Sequence, residues 1–252
     1  MKTGTRTNAA IALLVLGVCV LACKSTTNST NNSPNTSSAS SNSSNAPTST
    51  THAAPATHAN IAGNYNIAGT NPTGTIYRGT LHIIEHGDVY QFRWNARNQY
   101  DGVGVVNGDF VAVAFANGPN GTGCGVVDYK IQNDGALIGR WGYWGKDEAG
   151  SEDATRTSGS GLAGEYDATG KNPNGSNYKV KLTVEPAGNL YRFVWSNNTD
   201  GEGILQGDNV AVGIGGARCG FVAYQIKADG TLDGVWGGYG SDQTGTEKAT
   251  KQ

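Results

Sequence analysis

The side chains able to do chemistry are few, and most come in pairs. His82 and His86 lie four residues apart, a spacing that puts both on one face of a β-strand, where two imidazoles can share a metal. Their counterparts in the internal repeat described below are Thr183 and Ala187, no third ligand is evident, and strand alternation puts His82 on the solvated face. No metal site and no cofactor are therefore expected. His52 and His58 lie in or beside a Ser/Thr-rich stretch, and the second repeat has no histidine, which leaves no duplicated Ser-His-Asp or Cys-His pairing. Glu152 and Glu247 close matching Gly-Ser-Glu and Gly-Thr-Glu motifs, but acid–base work needs a second acid converging on each. The repeated acids Asp109, Asp208, Asp134 and Asp229 sit beside glycines, where an aspartate ordinarily accepts backbone hydrogen bonds in a turn. The chain is expected not to be an enzyme.

Aromatics and cysteines offer binding and cross-linking instead. Tyr90, Phe92, Trp94 and Trp141, with Tyr191, Phe193, Trp195 and Trp236, share inward parity; they are candidates to line a ligand cavity, although filling the core is the simpler role. Tyr143 and Trp144 adjoin a glycine-flanked turn and become Gly238 and Tyr239 in the other copy, which makes them the candidate exposed anchors for a partner. Cys124 and Cys219 give one thiol per repeat, so neither repeat closes its own disulfide. The pair can bridge the repeats, link molecules, or stay as two buried thiols; each lies on the face opposite Tyr129 or Tyr224, which opposes burial in a core.

The elements that must position these residues appear twice. One copy opens Gly63-x-Tyr65-x3-Gly69-x-Asn71-Pro72-x-Gly74-x2-Tyr77, the other Gly164-x-Tyr166-x3-Gly170-x-Asn172-Pro173-x-Gly175-x2-Tyr178, an offset of 101 residues. Tyr90-x-Phe92-x-Trp94 matches Tyr191-x-Phe193-x-Trp195. After two short deletions the offset is 95, and Asp134-Gly135-x-Leu137-x-Gly139-x-Trp141 matches Asp229-Gly230-x-Leu232-x-Gly234-x-Trp236. A whole domain has been duplicated: β-repeat 1 over 61–156 and β-repeat 2 over 162–252.

Within a copy the period is two. Tyr178, Val180, Leu182 and Val184 share one face, and Lys179, Lys181, Thr183 and Glu185 the other, so one face is buried and one wet. Thirty-eight glycines and Asp-Gly turns punctuate the pattern. Seven or eight short strands per copy suffice to close a barrel and remove its edges. The expected fold is all-β: two tandem small antiparallel meander barrels, with a two-sheet sandwich as the alternative.

Ahead of the repeats, Lys2 and Arg6 precede an apolar run from Ala9 to Ala22 and then Cys23, a signal segment over 1–22 that is short for a membrane span. Val20-Leu21-Ala22-Cys23 resembles the bacterial lipobox, which implies that Cys23 is lipidated with diacylglycerol and palmitate-type acyl chains and anchors the chain to a membrane. Residues 23–60, rich in Ser, Thr and Asn with Pro34, Pro47 and Pro55, are expected to be a disordered tether. Removing Lys2 and Arg6 from 18 basic residues leaves 16 against 20 acidic ones, a balance that argues against nucleic acid as a partner.

The Gly-x-Tyr opening, Asn-Pro-x-Gly, Tyr-x-Phe-x-Trp, Asp-Gly-x-Leu-x-Gly-x-Trp and Gly-[Ser/Thr]-Glu closing resemble a short domain of bacterial secreted proteins and lipoproteins, some labelled fibronectin-binding. More distantly, the glycine-rich meander is similar to avidin-like and lipocalin-like barrels and to small barrel inhibitors of bacterial metalloproteases. These likenesses imply a non-enzymatic binding or adhesion lipoprotein, held outside the cytoplasm at the outer membrane or cell surface, with an extracellular or envelope protein as partner. A small-ligand carrier and an envelope protease inhibitor are the alternatives.

Overall fold

The computed structural model describes residues 60–116 and 118–252; the signal segment, Cys23 and the tether through residue 59 lie outside them. Strand alternation is realised sixteen times. Repeat 1 supplies β1 (Gly63–Thr70), β2 (Ile76–His86), β3 (Val89–Asn95), β4 (Gln99–Asn107), β5 (Phe110–Ala116), β6 (Gly125–Ile131), β7 (Leu137–Tyr143) and β8 (Gly150–Ser160). Repeat 2 supplies β9 (Ala163–Lys171), β10 (Asn177–Ala187), β11 (Leu190–Trp195), β12 (Thr199–Gln206), β13 (Asn209–Ile214), β14 (Cys219–Ile226), β15 (Leu232–Gly238) and β16 (Thr244–Lys251). All pair antiparallel and close into two eight-stranded barrels, the architecture expected from the pattern; the sandwich is not formed.

The barrels do not coincide with the repeats. Barrel 1 runs β1-β16-β15-β14-β5-β4-β3-β2, and barrel 2 runs β10-β11-β12-β13-β6-β7-β8-β9. Each repeat gives five strands to one barrel and three to the other. The expectation that 61–156 and 162–252 each close a barrel is thus corrected: β5 pairs with β14 through Val113 opposite Val222, and β13 pairs with β6 through Val212 opposite Val127. Equivalent strands carry equivalent patterns, so an exchanged strand completes the ladder as well as its own repeat's strand would.

Interior residues follow the predicted parity. Leu81, Ile83, Phe92, Val113 and Tyr224 fill barrel 1, and Leu182, Val184, Phe193, Val212 and Tyr129 fill barrel 2. One end of each barrel is stoppered by the residue just ahead of its first strand: Ile61 and Leu162 are buried, and their carbonyls accept hydrogen bonds from Tyr65 (2.7 Å) and Tyr166 (2.8 Å). Outer faces carry residues such as Arg93, Lys179 and Glu185.

Where the barrels meet, outward side chains shrink. Ala112, Ala114 and Ala116 of β5 pack in one apolar cluster with Ala211 of β13, Val126 of β6 and Ala223 of β14. A Cβ on Gly213 would stand 2.8 Å from the carbonyl oxygen of Gly220, so only glycine permits that approach. Cys124 and Cys219 form a disulfide here, Cα atoms 5.7 Å apart, at the two points where the chain passes between barrels. Both are buried, contrary to the parity argument, because the face opposite Tyr129 and Tyr224 is covered by the other barrel. Closing a 95-residue loop in the unfolded chain is worth on the order of 4 kcal/mol by chain entropy.

One carboxyl interrupts this seam. Asp128 on β6 is fully buried, with neither oxygen hydrogen-bonded, between Ala211 and Arg140 on the neighbouring strands. Its counterpart is Ala223, between Ala112 and Val235. Burial pushes the Asp128 carboxyl up to about 7, with Asn107, Arg140 and Lys130 opposing the shift.

Two outcomes follow from this architecture. Cleavage at a protease site introduced at Gly161, in a Cys124→Ser/Cys219→Ser background, is expected to leave the halves co-eluting in size-exclusion chromatography, since each barrel needs strands from both; separation into two folded halves would refute the exchange. For Asp128, the folded chain keeps its proton up to about pH 7 while the unfolded chain releases it near the ordinary value of 3.8, so stability falls as pH rises across that window. Asp128→Asn should match wild type near pH 4 and be more stable at pH 8, by at most about 4 kcal/mol in urea titrations. Parallel pH curves for the two proteins would contradict this origin.

Candidate functional site

Each barrel holds one carboxylate in its interior, brought there by the parity of the last strand of a repeat. Glu247 on β16 faces inward with Gly245 and Ala249, and Glu152 on β8 does so with Gly150 and Ala154. In barrel 1 the Trp94 indole donates to Glu247 Oε1 at 2.9 Å, Tyr224 donates to the same oxygen, and the Tyr77 hydroxyl donates to Oε2 at 2.8 Å. Barrel 2 repeats this: Trp195 (2.9 Å) and Tyr129 donate to Glu152 Oε1, and Tyr178 (2.9 Å) to Oε2. The donors come from both repeats, so each cluster is assembled by strand exchange.

The electrostatics follow from burial. Desolvation raises Glu247, and its three hydrogen bonds oppose that rise. Tyr129 and Tyr224 are raised well above the usual phenol value, first by burial and then by the adjacent carboxylate, which keeps both hydroxyls as donors. Each cluster holds a single carboxylate. Its local chemistry is to accept hydrogen bonds from neutral donors; among the described residues no second acid hydrogen-bonds to it.

The two clusters differ in what covers them. In barrel 2, Tyr143 packs against Trp141 with ring centroids 5.8 Å apart and lies over Gly125, where a Cβ would meet the ring at 2.6 Å. In barrel 1 the counterpart of Tyr143 is Gly238, and Phe115 of β5 lies instead over Gly220, where a Cβ would meet its ring at 2.5 Å; beside it a cleft of about 920 Å³ opens. Trp94, Trp236, Tyr77, Tyr100 and Phe115 wall it, with Glu247 on its inner surface. Phe115 makes edge-on contacts with Trp94, Tyr100 and Trp236 at 5.9–6.3 Å, so the walls are one connected aromatic layer. Arg78 and Arg97 stand at the rim, beside the Asn71–Ile76 and Ala96–Asn98 turns.

Several expected site residues move in this light. Tyr143 and Trp144 are both half-buried and point to opposite sides of β7: Tyr143 into barrel 2, Trp144 into the cluster between the barrels, against Gly121. They do not form an exposed anchor. Of the repeated aromatics, Tyr90, Phe92 and Phe193 are core, and Tyr191 packs against it. Trp94 and Trp195 bind the carboxylates, Trp141 donates to Tyr178 at 3.0 Å, and Trp94 and Trp236 line the open cleft. His82 and His86 are exposed on β2, and no group of three metal-binding side chains occurs among the described residues. Asp134 and Asp229 accept backbone hydrogen bonds from Ala136 and Thr231, both at 3.0 Å, as turn residues do.

The carboxylate clusters themselves escaped sequence reasoning, although Glu152, Glu247 and all four tyrosines are visible in the repeat. The available signal was Glu at an inward position of an alternating strand, flanked by Gly and Ala small enough to admit indole and phenol rings. In comparisons with known proteins, no family model, curated protein or solved structure matches the chain.

Tyr224→Phe and Tyr129→Phe each remove a donor from a buried carboxylate and should cost about 1.5–3 kcal/mol in urea unfolding. Tyr100→Phe, whose hydroxyl only accepts a hydrogen bond from Asn98, should cost well under about 1 kcal/mol. Equal losses at all three positions would show that the carboxylate hydrogen bonds carry no special weight.

Proposed function

We propose that this chain is a lipid-anchored, extracytoplasmic binding lipoprotein whose first barrel holds a small organic ligand in its aromatic mouth. The observation that carries this reading is the cleft at the mouth of barrel 1, about 920 Å³ walled by Tyr77, Trp94, Tyr100, Phe115 and Trp236 with Glu247 on its inner surface. Small apolar clefts with a few convergent polar groups are the usual form of a ligand site. Loss of the Tyr143–Trp144 patch removes the specific support for an adhesion surface, so the carrier reading moves ahead of the adhesin and inhibitor readings.

The lipid anchor at Cys23 belongs to the same proposal. β1 begins at the stoppered end of barrel 1 and its far end leads into the Asn71–Ile76 turn at the mouth, so the chain enters the described region at the end opposite the cleft.

One experiment tests both parts. Full-length protein should fractionate with membranes and Cys23→Ser with the soluble fraction. Native mass spectrometry of the soluble Cys23→Ser protein, purified without refolding, should reveal a reproducible added mass at one per chain, lost on denaturation. Gly238→Tyr should remove that mass, because its Cβ meets open space, its φ is not left-handed and the added ring must share the mouth with Phe115; urea titration of the variant checks that it folds. A bound mass that survives Gly238→Tyr, or a bare protein in both, would defeat the cleft as the site.

A further inference from the structure

Deepening the ligand-binding reading, on which it rests, we propose that the barrel 1 mouth takes an organic ammonium that also carries an acidic group. The ammonium sits among the aromatic rings beside Glu247, and the acid meets Arg78 and Arg97. Three features of the cleft ask for these groups.

Glu247 is the first. Its Oε1 accepts two hydrogen bonds and its Oε2 only one, so acceptor capacity remains on a buried carboxylate that lines the cleft. Its partners are neutral hydroxyl and indole donors, and no lysine or arginine pairs with it among the described residues. Burial without a counter-charge disfavours the ionised form, and a bound cation restores it.

The walls are the second. Tyr77, Trp94, Tyr100, Phe115 and Trp236 surround the space, and their ring faces attract a cation more strongly when water is excluded. Trp236 meets Tyr77 edge-on with ring centroids 6.5 Å apart, so the wall is continuous on that side. An uncharged apolar ligand would leave the carboxylate without a counter-charge.

The rim is the third. Arg78 and Arg97 form no ion pair among the described residues and would repel a simple cation approaching the mouth. A ligand with an acid a few bonds from its ammonium satisfies both ends, because guanidinium groups hold carboxylate or phosphate well.

The test is a titration of soluble Cys23→Ser protein by tryptophan fluorescence and calorimetry, with phosphocholine against 3,3-dimethylbutyl phosphate, in which carbon replaces the charged nitrogen. Phosphocholine should bind about tenfold more tightly. Glu247→Gln should bring the two within about twofold, and Gly238→Tyr should abolish both. The wild-type comparison stands even where Glu247→Gln fails to fold. Equal affinity for the two probes, blocked by Gly238→Tyr, overturns the ammonium while leaving the cleft as a binding site. Absence of phosphocholine binding also overturns it, and the co-purified mass then decides separately whether the cleft reading survives.

Discussion

Backbone pairing between β5 and β14, and between β13 and β6, is the interaction on which everything else here depends. An eight-stranded sheet has two edges until it closes, and each edge is a row of unpaired backbone donors and acceptors. In this chain both closures are made between repeats. The two barrels therefore fold as one unit: the alanine-rich seam, the Cys124–Cys219 disulfide and both carboxylate clusters all require strands from both halves. Burial of the cysteines is a direct consequence, since exchange brings the outer faces of β5 and β13 against the partner barrel.

Within that symmetric frame the functional difference is local. Both barrels place a glutamate, two tyrosines and a tryptophan in the same arrangement, and a buried carboxylate needs such donors to offset its desolvation. The clusters are common to both barrels, so they belong first to the fold. What distinguishes barrel 1 is Gly238 in place of Tyr143 and the aromatics Tyr100 and Phe115, which stand where barrel 2 has Thr199 and Ile214; Phe115 rather than Tyr143's counterpart covers the equivalent glycine. Duplication lets the two mouths diverge in their aromatic side chains while the carboxylate clusters beneath stay the same.

The seam is asymmetric too. A pseudo-twofold arrangement would place small apolar residues at both Asp128 and Ala223, and the alanine fits its place without penalty. Asp128 instead puts an unpaired carboxyl between the barrels, where its ionisation is opposed by the apolar side chains that hold them together. Nothing in the sequence around Asp128 marks it as buried on both sides, because in a barrel standing alone its outward parity would be solvated.

How much was legible can be judged from such residues. Period-two alternation over Tyr178–Val184 and the paired glycine turns specify strands, their faces and the all-β class, because the pleat fixes side-chain direction from sequence alone. The unbroken apolar run Phe110–Ala116 also carried a hint that β5 is covered on both faces. Tyr143 and Trp144 looked exposed because adjacency to a turn does not reveal a second barrel across the seam. Sequence by itself thus determined the strands, their inward faces, the duplication and the lone cysteine in each repeat. Only the tertiary structure decided which copy's strands close which barrel, and hence where the disulfide, the carboxylate clusters and the open cleft lie. The physical reason is that equivalent strands offer the same hydrogen-bond ladder and the same apolar face, so local pattern is indifferent between the two closures.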